Sequence, residues 1–176
     1  MLKKFVSSIL LTAILVGCGG TSSNSPAPTQ ESAQAPQETK EATETKDTSK
    51  EQAEVKKISK QIVSDLNLGD AVAEVKDRII PGIFFFEEGA VNASSFYVAD
   101  KKADCVGVFR VNDEESCREC IKTYLETLKA QLQTYAPDEI FKVDNAIVEA
   151  KDGLVILVVC DDIENAKNVV NSALNK

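Results

Sequence analysis

Two apolar segments constrain the fold of this chain more than any other part of its sequence. The segments Val106 to Phe109 and Leu154 to Val159 carry apolar residues on both faces of a predicted strand. A strand of mixed polarity precedes each of them, Ser95 to Asp100 before the first and Phe141 to Ala150 before the second. Strands that are apolar on both faces belong at the centre of a sheet, so the two mixed strands are expected at its edges.

A predicted helix follows each apolar strand. Asp113 starts the first helix as an N-cap, and Asp161-Asp162 starts the second, because a carboxylate accepts hydrogen bonds from free N–H groups. Each helix carries an apolar stripe; the first comprises Cys117, Cys120, Ile121, Tyr124, Leu128 and Leu132, and the second Ile163, Ala166, Val169, Val170 and Ala173.

A shift of 49 positions superposes the two halves in pattern, so that Asp113 falls on Asp162 and Ile121 on Val170. The predicted fold is therefore α+β: an N-terminal helix followed by a repeated β-β-α unit. The four strands are expected to form an antiparallel sheet of order 1-2-4-3, with both repeat helices on one face.

The segment before the first strand is expected to cover the other face. Val55, Ile58, Ile62 and Leu66 have helical spacing. The run Ile79 to Phe86 is strongly apolar but interrupted by Pro-Gly. It has two interpretations, a segment packed into the core or an exposed docking site for a partner.

The first eighteen residues have the order of a bacterial export signal. Lys3 and Lys4 precede an apolar run from Phe5 to Val16, which is too short to span a bilayer as a mature helix. The run ends in Leu15-Val16-Gly17-Cys18, which resembles the bacterial lipobox. The resemblance implies removal of residues 1–17 and a lipid on Cys18, and two acyl chains hold a protein stably on a membrane. The expected location is the extracytoplasmic side of the cell membrane.

Residues 18–52 are expected to form the lipidated terminus and a disordered tether. The stretch from Gly19 to Gln52 contains no aromatic and no large aliphatic residue, so it cannot bury enough apolar surface to offset its ordering entropy. The remaining residues, 53–176, suffice for one domain.

Composition excludes several classes of function. The net charge is −8, and nucleic-acid binding requires a clustered basic surface, so no nucleic-acid partner is expected. The chain has no histidine, which removes Ser-His and Cys-His nucleophiles and the commonest zinc ligand. We therefore expect no enzymatic activity, no metal and no cofactor.

Several motifs of the second half resemble a known domain. These are Tyr135-Ala136-Pro137, Val143-Asp144-Asn145-Ala146-Ile147, Gly153, and the apolar strand leading into Asp161-Asp162. Together they resemble a lipoprotein domain of clostridia and related Gram-positive bacteria that is classified as a domain of unknown function. The resemblance covers about Ile58 to Ala173 and implies a small α+β module outside the plasma membrane. No activity is established for that family, so it implies no catalytic residue.

Four cysteines of the domain remain the sharpest chemical feature: Cys105, Cys117, Cys120 and Cys160. Cys117 and Cys120 have the spacing of a dithiol redox motif, but they lie on the apolar stripe among glutamates that would raise a thiol pKa. Three interpretations stay open: packing as small apolar residues, a redox pair, or structural disulfides. Cys105 and Cys160 are expected to approach each other across the central strands.

The sequence thus predicts a lipid-anchored, non-enzymatic binding or interaction module. It is held at the membrane through Cys18 and contacts an unknown protein or cell-wall partner. One alternative is a thiol-disulfide oxidoreductase that uses Cys117 and Cys120. Another is a solute-binding lipoprotein.

Overall fold

The computed structural model describes residues 41–176, with side chains from residue 47. Its helices are α1 (Glu41–Asp65), α2 (Ile80–Phe84), α3 (Glu114–Tyr135), α4 (Ile140–Asp144) and α5 (Ile163–Leu174). Its strands are β1 (Val72–Glu74), β2 (Val91–Ala99), β3 (Cys105–Val111), β4 (Ile147–Lys151) and β5 (Leu154–Val159). Short 3-10 turns at Asp77–Ile79 and Pro137–Glu139 lead into α2 and α4. The mixed α+β class is confirmed.

The strands form one antiparallel sheet of order β1-β2-β3-β5-β4. The two apolar strands, β3 and β5, are neighbours near its centre, and every residue of β5 is buried. The four predicted strands have the predicted relative order, but the predicted number of strands is wrong. The fifth, β1, has only three residues, two of them exposed, and pairs at the edge of β2. Such a short exposed strand has no alternation by which the sequence could reveal it.

Two apolar clusters lie on opposite faces of the sheet. On the face we call the cleft face, α1 and α5 pack through residues such as Val55, Ile62, Ala166 and Val170. On the face we call the aromatic face, α2, α3 and α4 pack against the other side of the same strands. The prediction that both repeat helices share one face is therefore wrong.

The odd length of the 49-residue repeat explains this difference. Cys105 pairs with Val159, so odd-numbered residues of β3 and β5 lie on the same face of the sheet. Because side chains alternate along a strand, an odd shift moves each residue to the face opposite its counterpart. Val111, at the end of β3, packs on the aromatic face, whereas Cys160, after β5, packs on the cleft face. α3 follows Val111 and packs on the aromatic face, and α5 follows Cys160 and packs on the cleft face.

The first helix begins earlier than the predicted domain boundary. α1 starts at Glu41, so residues 41–52, which were assigned to the disordered tether, are helical. Gln52 already contacts the sheet, because its side-chain amide donates to the Ser94 carbonyl (2.8 Å) and accepts from the Ser94 N–H (3.2 Å). The predicted signal peptide, Cys18 and the rest of the tether lie outside the described residues.

The apolar run Ile79 to Phe86 contributes mainly to the core of the aromatic face. Ile80 and Phe84 are fully buried, whereas Phe85 is 71% exposed. The Phe84 ring lies 5.0 Å from Phe96, 4.9 Å from Phe109 and 4.7 Å from Tyr124, measured between centroids. The core interpretation therefore holds for the inward-facing half of the run.

The segment Phe141 to Asp144 is helical, although the sequence pattern predicted that the third strand starts there. It belongs to α4, and β4 begins only at Ile147. The 3-10 turn at Pro137–Glu139 continues directly into this helix, which turns Lys142 and Val143 inward. A five-residue helix shows too little periodicity to be distinguished from a strand by sequence.

Candidate functional site

The four cysteines of the domain are all free thiols. Cys105 is fully buried on the aromatic face and pairs with Val159 of β5. Cys160 is the residue after Val159, and its side chain packs on the cleft face. The two predicted neighbours are thus close in register but separated by the sheet. Burial raises the pKa of Cys105 to about 12, despite a side-chain hydrogen bond with Tyr124 that favours the thiolate. Burial also raises the pKa of Cys160.

The pair Cys117 and Cys120 lies on α3, one turn apart. Asp113 caps this helix as predicted, its carboxylate accepting from the N–H groups of Glu115 (3.0 Å) and Ser116 (3.1 Å). Burial raises the pKa of Cys117 to about 12, and the neighbouring Cys120 adds to that effect. Burial and the charges of Glu87 and Glu119 also raise the pKa of Cys120. Both thiols are therefore protonated at neutral pH, which opposes nucleophilic attack on a disulfide.

A buried charge cluster lies at one end of the central strands, where β3 begins and β5 ends. Lys142 of α4, with a side chain only 4% exposed, contacts three carboxylates: Asp104 (3.0 Å), Glu139 (2.9 Å) and Asp161 (3.1 Å). Asp104 is 6% exposed and Asp161 72%, so the cluster runs from the interior to the surface. The Glu139 carboxylate also accepts from the Ala103 N–H at 3.1 Å. We call these four side chains the closed end.

The charges of the closed end stabilise one another. Burial alone would lower the pKa of Lys142, but its hydrogen bonds to Glu139, Asp104 and Asp161 outweigh burial and raise that pKa. Burial likewise opposes ionisation of Glu139, yet hydrogen bonds from Lys142 and the Ala103 N–H hold the pKa of its carboxyl below 4.5. A cation this well paired is a structural element and not a free base or nucleophile.

A cleft of about 410 Å³ opens at the other end of the central strands. It lies between α1 and the last turns of α5, above the turn that joins β4 and β5. Its floor is apolar and consists of Ile58, Ile62, Leu154, Val169, Ala173 and Leu174. Its volume falls within the range of ligand-binding clefts, about 300–1,000 Å³. This is the strongest candidate for a binding site among the described residues.

Arg110 supplies the charge in that cleft. It belongs to β3, and its side chain is 19% exposed. Its Nη1 donates to the Asp152 carbonyl (3.0 Å), and its Nη2 pairs with Glu54 of α1 (2.9 Å). A guanidinium has five N–H groups, so these two contacts leave donors for a ligand. We call Arg110, Glu54 and the surrounding cleft the open end.

Neither end was predicted from the sequence. Lys142 stands inside the apolar run Ile140 to Val143, and Arg110 is the single charged residue within β3. A lone charge in an apolar strand or helix was the signal that could have identified each of them, because such a charge must find a partner or a solvent-filled cleft. The predicted site residues that are described, the four cysteines, are not brought together as one site.

The described part of the chain contains neither a metal-binding cluster nor a membrane-spanning helix. No group of three or more histidine, cysteine, aspartate and glutamate side chains there is placed to hold a metal ion. Among residues 41–176, no helix combines the length and apolarity that crossing a membrane requires.

The described residues thus form a small α+β domain in which one antiparallel sheet separates two helical layers. Residues 64–160 match the family described as Domain of unknown function (DUF4358). Because this match spans more than half of the 176 residues, the chain belongs to that family. No curated protein and no solved structure matches it. The closed end lies almost entirely within the matched segment, whereas α1 and α5, which wall the cleft, lie mostly outside it.

Proposed function

We propose that this protein is a lipid-anchored, extracytoplasmic binding module that performs no chemistry of its own and contacts its ligand in the cleft between α1 and α5. The observation that carries the binding role is the open end, an apolar floor with a half-satisfied arginine at its edge. Clefts of this kind are the usual location of ligands in small domains.

The composition and the thiols support a non-enzymatic role. The sequence contains no histidine, and burial raises the pKa of all four domain thiols. General acid-base and nucleophilic catalysis require groups whose pKa lies near the working pH. At the closed end, hydrogen bonding between the two side chains raises the pKa of Lys142 and lowers that of Glu139, so both move away from neutral pH.

The sequence supports the membrane anchor. A charged start, a short apolar run and Leu15-Val16-Gly17-Cys18 form the order that a lipobox signal requires. Metabolic labelling of cells with a fatty-acid analogue should label the wild-type protein and leave Cys18→Ala unlabelled and outside the membrane fraction. Equal labelling of both proteins, or protection of the domain from protease added to intact cells, would contradict the anchor.

The binding role is tested by site-specific photocrosslinking on intact cells. A photoreactive residue at Gln61, which lines the cleft, should form an adduct that a matched residue at Thr123 on α3 does not form. Equal adducts at both positions, or none at Gln61, would contradict a ligand in the cleft.

The oxidoreductase alternative predicts a different result. With Cys117→Ser and Cys120→Ser together, we expect an unchanged crosslinking pattern. The unfolding free energy should fall by about 1–3 kcal/mol, because Cys117 is buried in the apolar core and a serine hydroxyl there loses its hydrogen bonds to water. Accumulation of a mixed disulfide with another protein when only Cys120 is replaced would favour the redox role instead.

A further inference from the structure

We infer that the cleft binds an amphiphilic carboxylate, a ligand with an apolar body and a single carboxylate group, which Arg110 holds by its guanidinium. This inference rests on the proposed binding function and adds the chemical class of the ligand. Six apolar side chains form the floor, so the body of the ligand must be apolar to replace water there favourably.

The charges around the cleft tolerate an anion better than the rest of the chain does. Four cationic side chains line the cleft, Lys57, Arg110, Lys151 and Lys176, beside three acidic ones, Glu54, Asp65 and Asp152, so its lining is close to neutral. The whole chain is acidic, with 20 basic and 28 acidic residues. An anionic ligand therefore meets less electrostatic repulsion at the cleft than elsewhere on the surface.

The geometry of Arg110 favours a carboxylate over other anions. Its guanidinium is fixed in direction by the Asp152 carbonyl and by one oxygen of Glu54, and it is largely shielded from water. A planar guanidinium matches the two oxygens of a carboxylate, and its orientation before binding reduces the entropic cost.

Glu54 acts as an internal competitor for the same guanidinium. Its side chain is 48% exposed and lies on the wall of the cleft, so it can turn into solvent when a ligand carboxylate binds. Replacing one half-exposed carboxylate by another changes little in Coulomb energy, and burial of the apolar body then supplies the net affinity.

The test uses calorimetric titration of the chain from Gly19 to Lys176. Both apolar cores lie within the described residues 41–176, so removal of the signal peptide leaves the domain whole. The probes are octanoate and octanamide, which have the same apolar chain but differ in charge. A second pair, N-acetyl-Leu-Leu and its C-terminal amide, distinguishes a peptide terminus from a fatty acid as the source of the carboxylate.

We expect at least one of the two carboxylates to bind more tightly than its amide. Arg110→Met should weaken that carboxylate by about tenfold or more, since a hydrogen bond to a charged group is lost, and should leave the amide nearly unchanged. Glu54→Gln should strengthen the carboxylate by about two- to fivefold, because the competitor has lost its charge. A purely structural role of Glu54 would not increase affinity.

Arg118 provides the matched control. Its Nη1 donates to the Val148 carbonyl (2.7 Å), and it lies on α3 on the opposite face, so Arg118→Met removes an equal charge elsewhere and should not affect binding. Equal affinity for carboxylates and amides would contradict the inference that the ligand carries a carboxylate, although the cleft would remain the binding site. Failure of all four probes to bind would overturn the inference; the proposed function would then still be decided by crosslinking at Gln61.

Discussion

The two ends of the central strand pair place a cation in opposite situations. At the closed end, Lys142 is 4% exposed and contacts three carboxylates. At the open end, Arg110 is 19% exposed, contacts one carboxylate and one carbonyl, and faces a cleft of about 410 Å³. Arg110 belongs to β3 and Lys142 lies in α4 at the other end of the same strand pair, and both have carboxylates within hydrogen-bond distance.

The two cations differ in how many of their hydrogen-bond donors remain without a partner. Every donor direction of an ammonium group is used when three carboxylates surround it, so Lys142 has no capacity for a ligand. A guanidinium with two contacts has three N–H groups to spare, and the neighbouring volume is empty of protein atoms. A buried charge in a domain of this size is therefore better judged by its unused hydrogen-bonding capacity than by its burial.

The largest effect is expected from Lys142→Met. This change leaves Asp104 buried beside Glu139 without a cation, and breaking a buried pair in this way costs about 3–5 kcal/mol of unfolding free energy. Urea unfolding measures it. Adding Asp104→Leu should recover most of the loss, because it removes the stranded charge.

The control for that prediction is Lys129→Met, whose partner Asp144 is half-exposed. It should cost less than about 1 kcal/mol, as exposed pairs do. Equal losses for Lys142→Met and Lys129→Met would show that the closed end does not contribute as a buried cluster.

The closed end should also shape the dependence of stability on pH. The folded-state pKa of Glu139 lies below 4.5, so its contribution is present above pH 4.5 and is lost as the pH falls through the folded value. The folded-state pKa of Lys142 lies above 10.5, so its contribution is present below pH 10.5 and is lost as the pH rises through the folded value. Urea midpoints across this range provide the measurement.

In the double variant Lys142→Met with Asp104→Leu, the loss of unfolding free energy at alkaline pH should become smaller, because the contribution of Lys142 is gone. Some alkaline loss should persist, because burial raises the pKa of Cys105 and Cys117 above the usual 9.0, and their contribution fades as the pH rises through the folded values. An unchanged profile would assign the pH dependence to groups outside the closed end.

A smaller effect is expected from Arg110→Met. Methionine keeps the apolar contact of the side chain, and the lost pair with Glu54 is half-exposed, so unfolding free energy should change by less than about 1 kcal/mol. Urea unfolding of this variant beside Lys142→Met compares the two ends directly. A loss as large as that of Lys142→Met would make Arg110 a structural residue and would remove the contrast between the ends.

The smallest effects concern the hairpin turns at the two ends. Lys101, in the turn before the closed end, has φ 62°, and Asp152, in the turn beside the cleft, has φ 52°. Glycine adopts this conformation without steric cost, so Lys101→Gly should raise unfolding free energy by up to about 1 kcal/mol. Asp152→Gly should gain less, since aspartate tolerates the left-handed region better than lysine. Thermal unfolding of both variants would rank them, and a larger gain at Asp152 would contradict this account.

Sequence patterns predicted a large part of the fold. The continuous apolar character of Leu154 to Val159 placed β5 at the centre of the sheet, and Asp113 and Asp162 marked helix starts where their carboxylates indeed cap N–H groups. The start of α1 was missed because residues 41–52 lack apolar periodicity, although Gln52 binds the backbone of β2 through its amide. The lone cations Lys142 and Arg110 could have been singled out from the sequence, but their partners could not, since each charged end is assembled from segments far apart in the chain.

The sequence by itself determined the antiparallel strand order of the repeat, the starts of α3 and α5 and the absence of histidine chemistry, because these depend on residue type and on local periodicity. Only the tertiary structure decided which face each helix covers and which charge keeps spare donors. Those properties depend on register and on long-range packing: one added or missing residue reverses the face of every side chain in a strand. Lys142 and Arg110 differ in their unused hydrogen-bonding capacity for that reason, although each is a lone cation among apolar residues in the sequence.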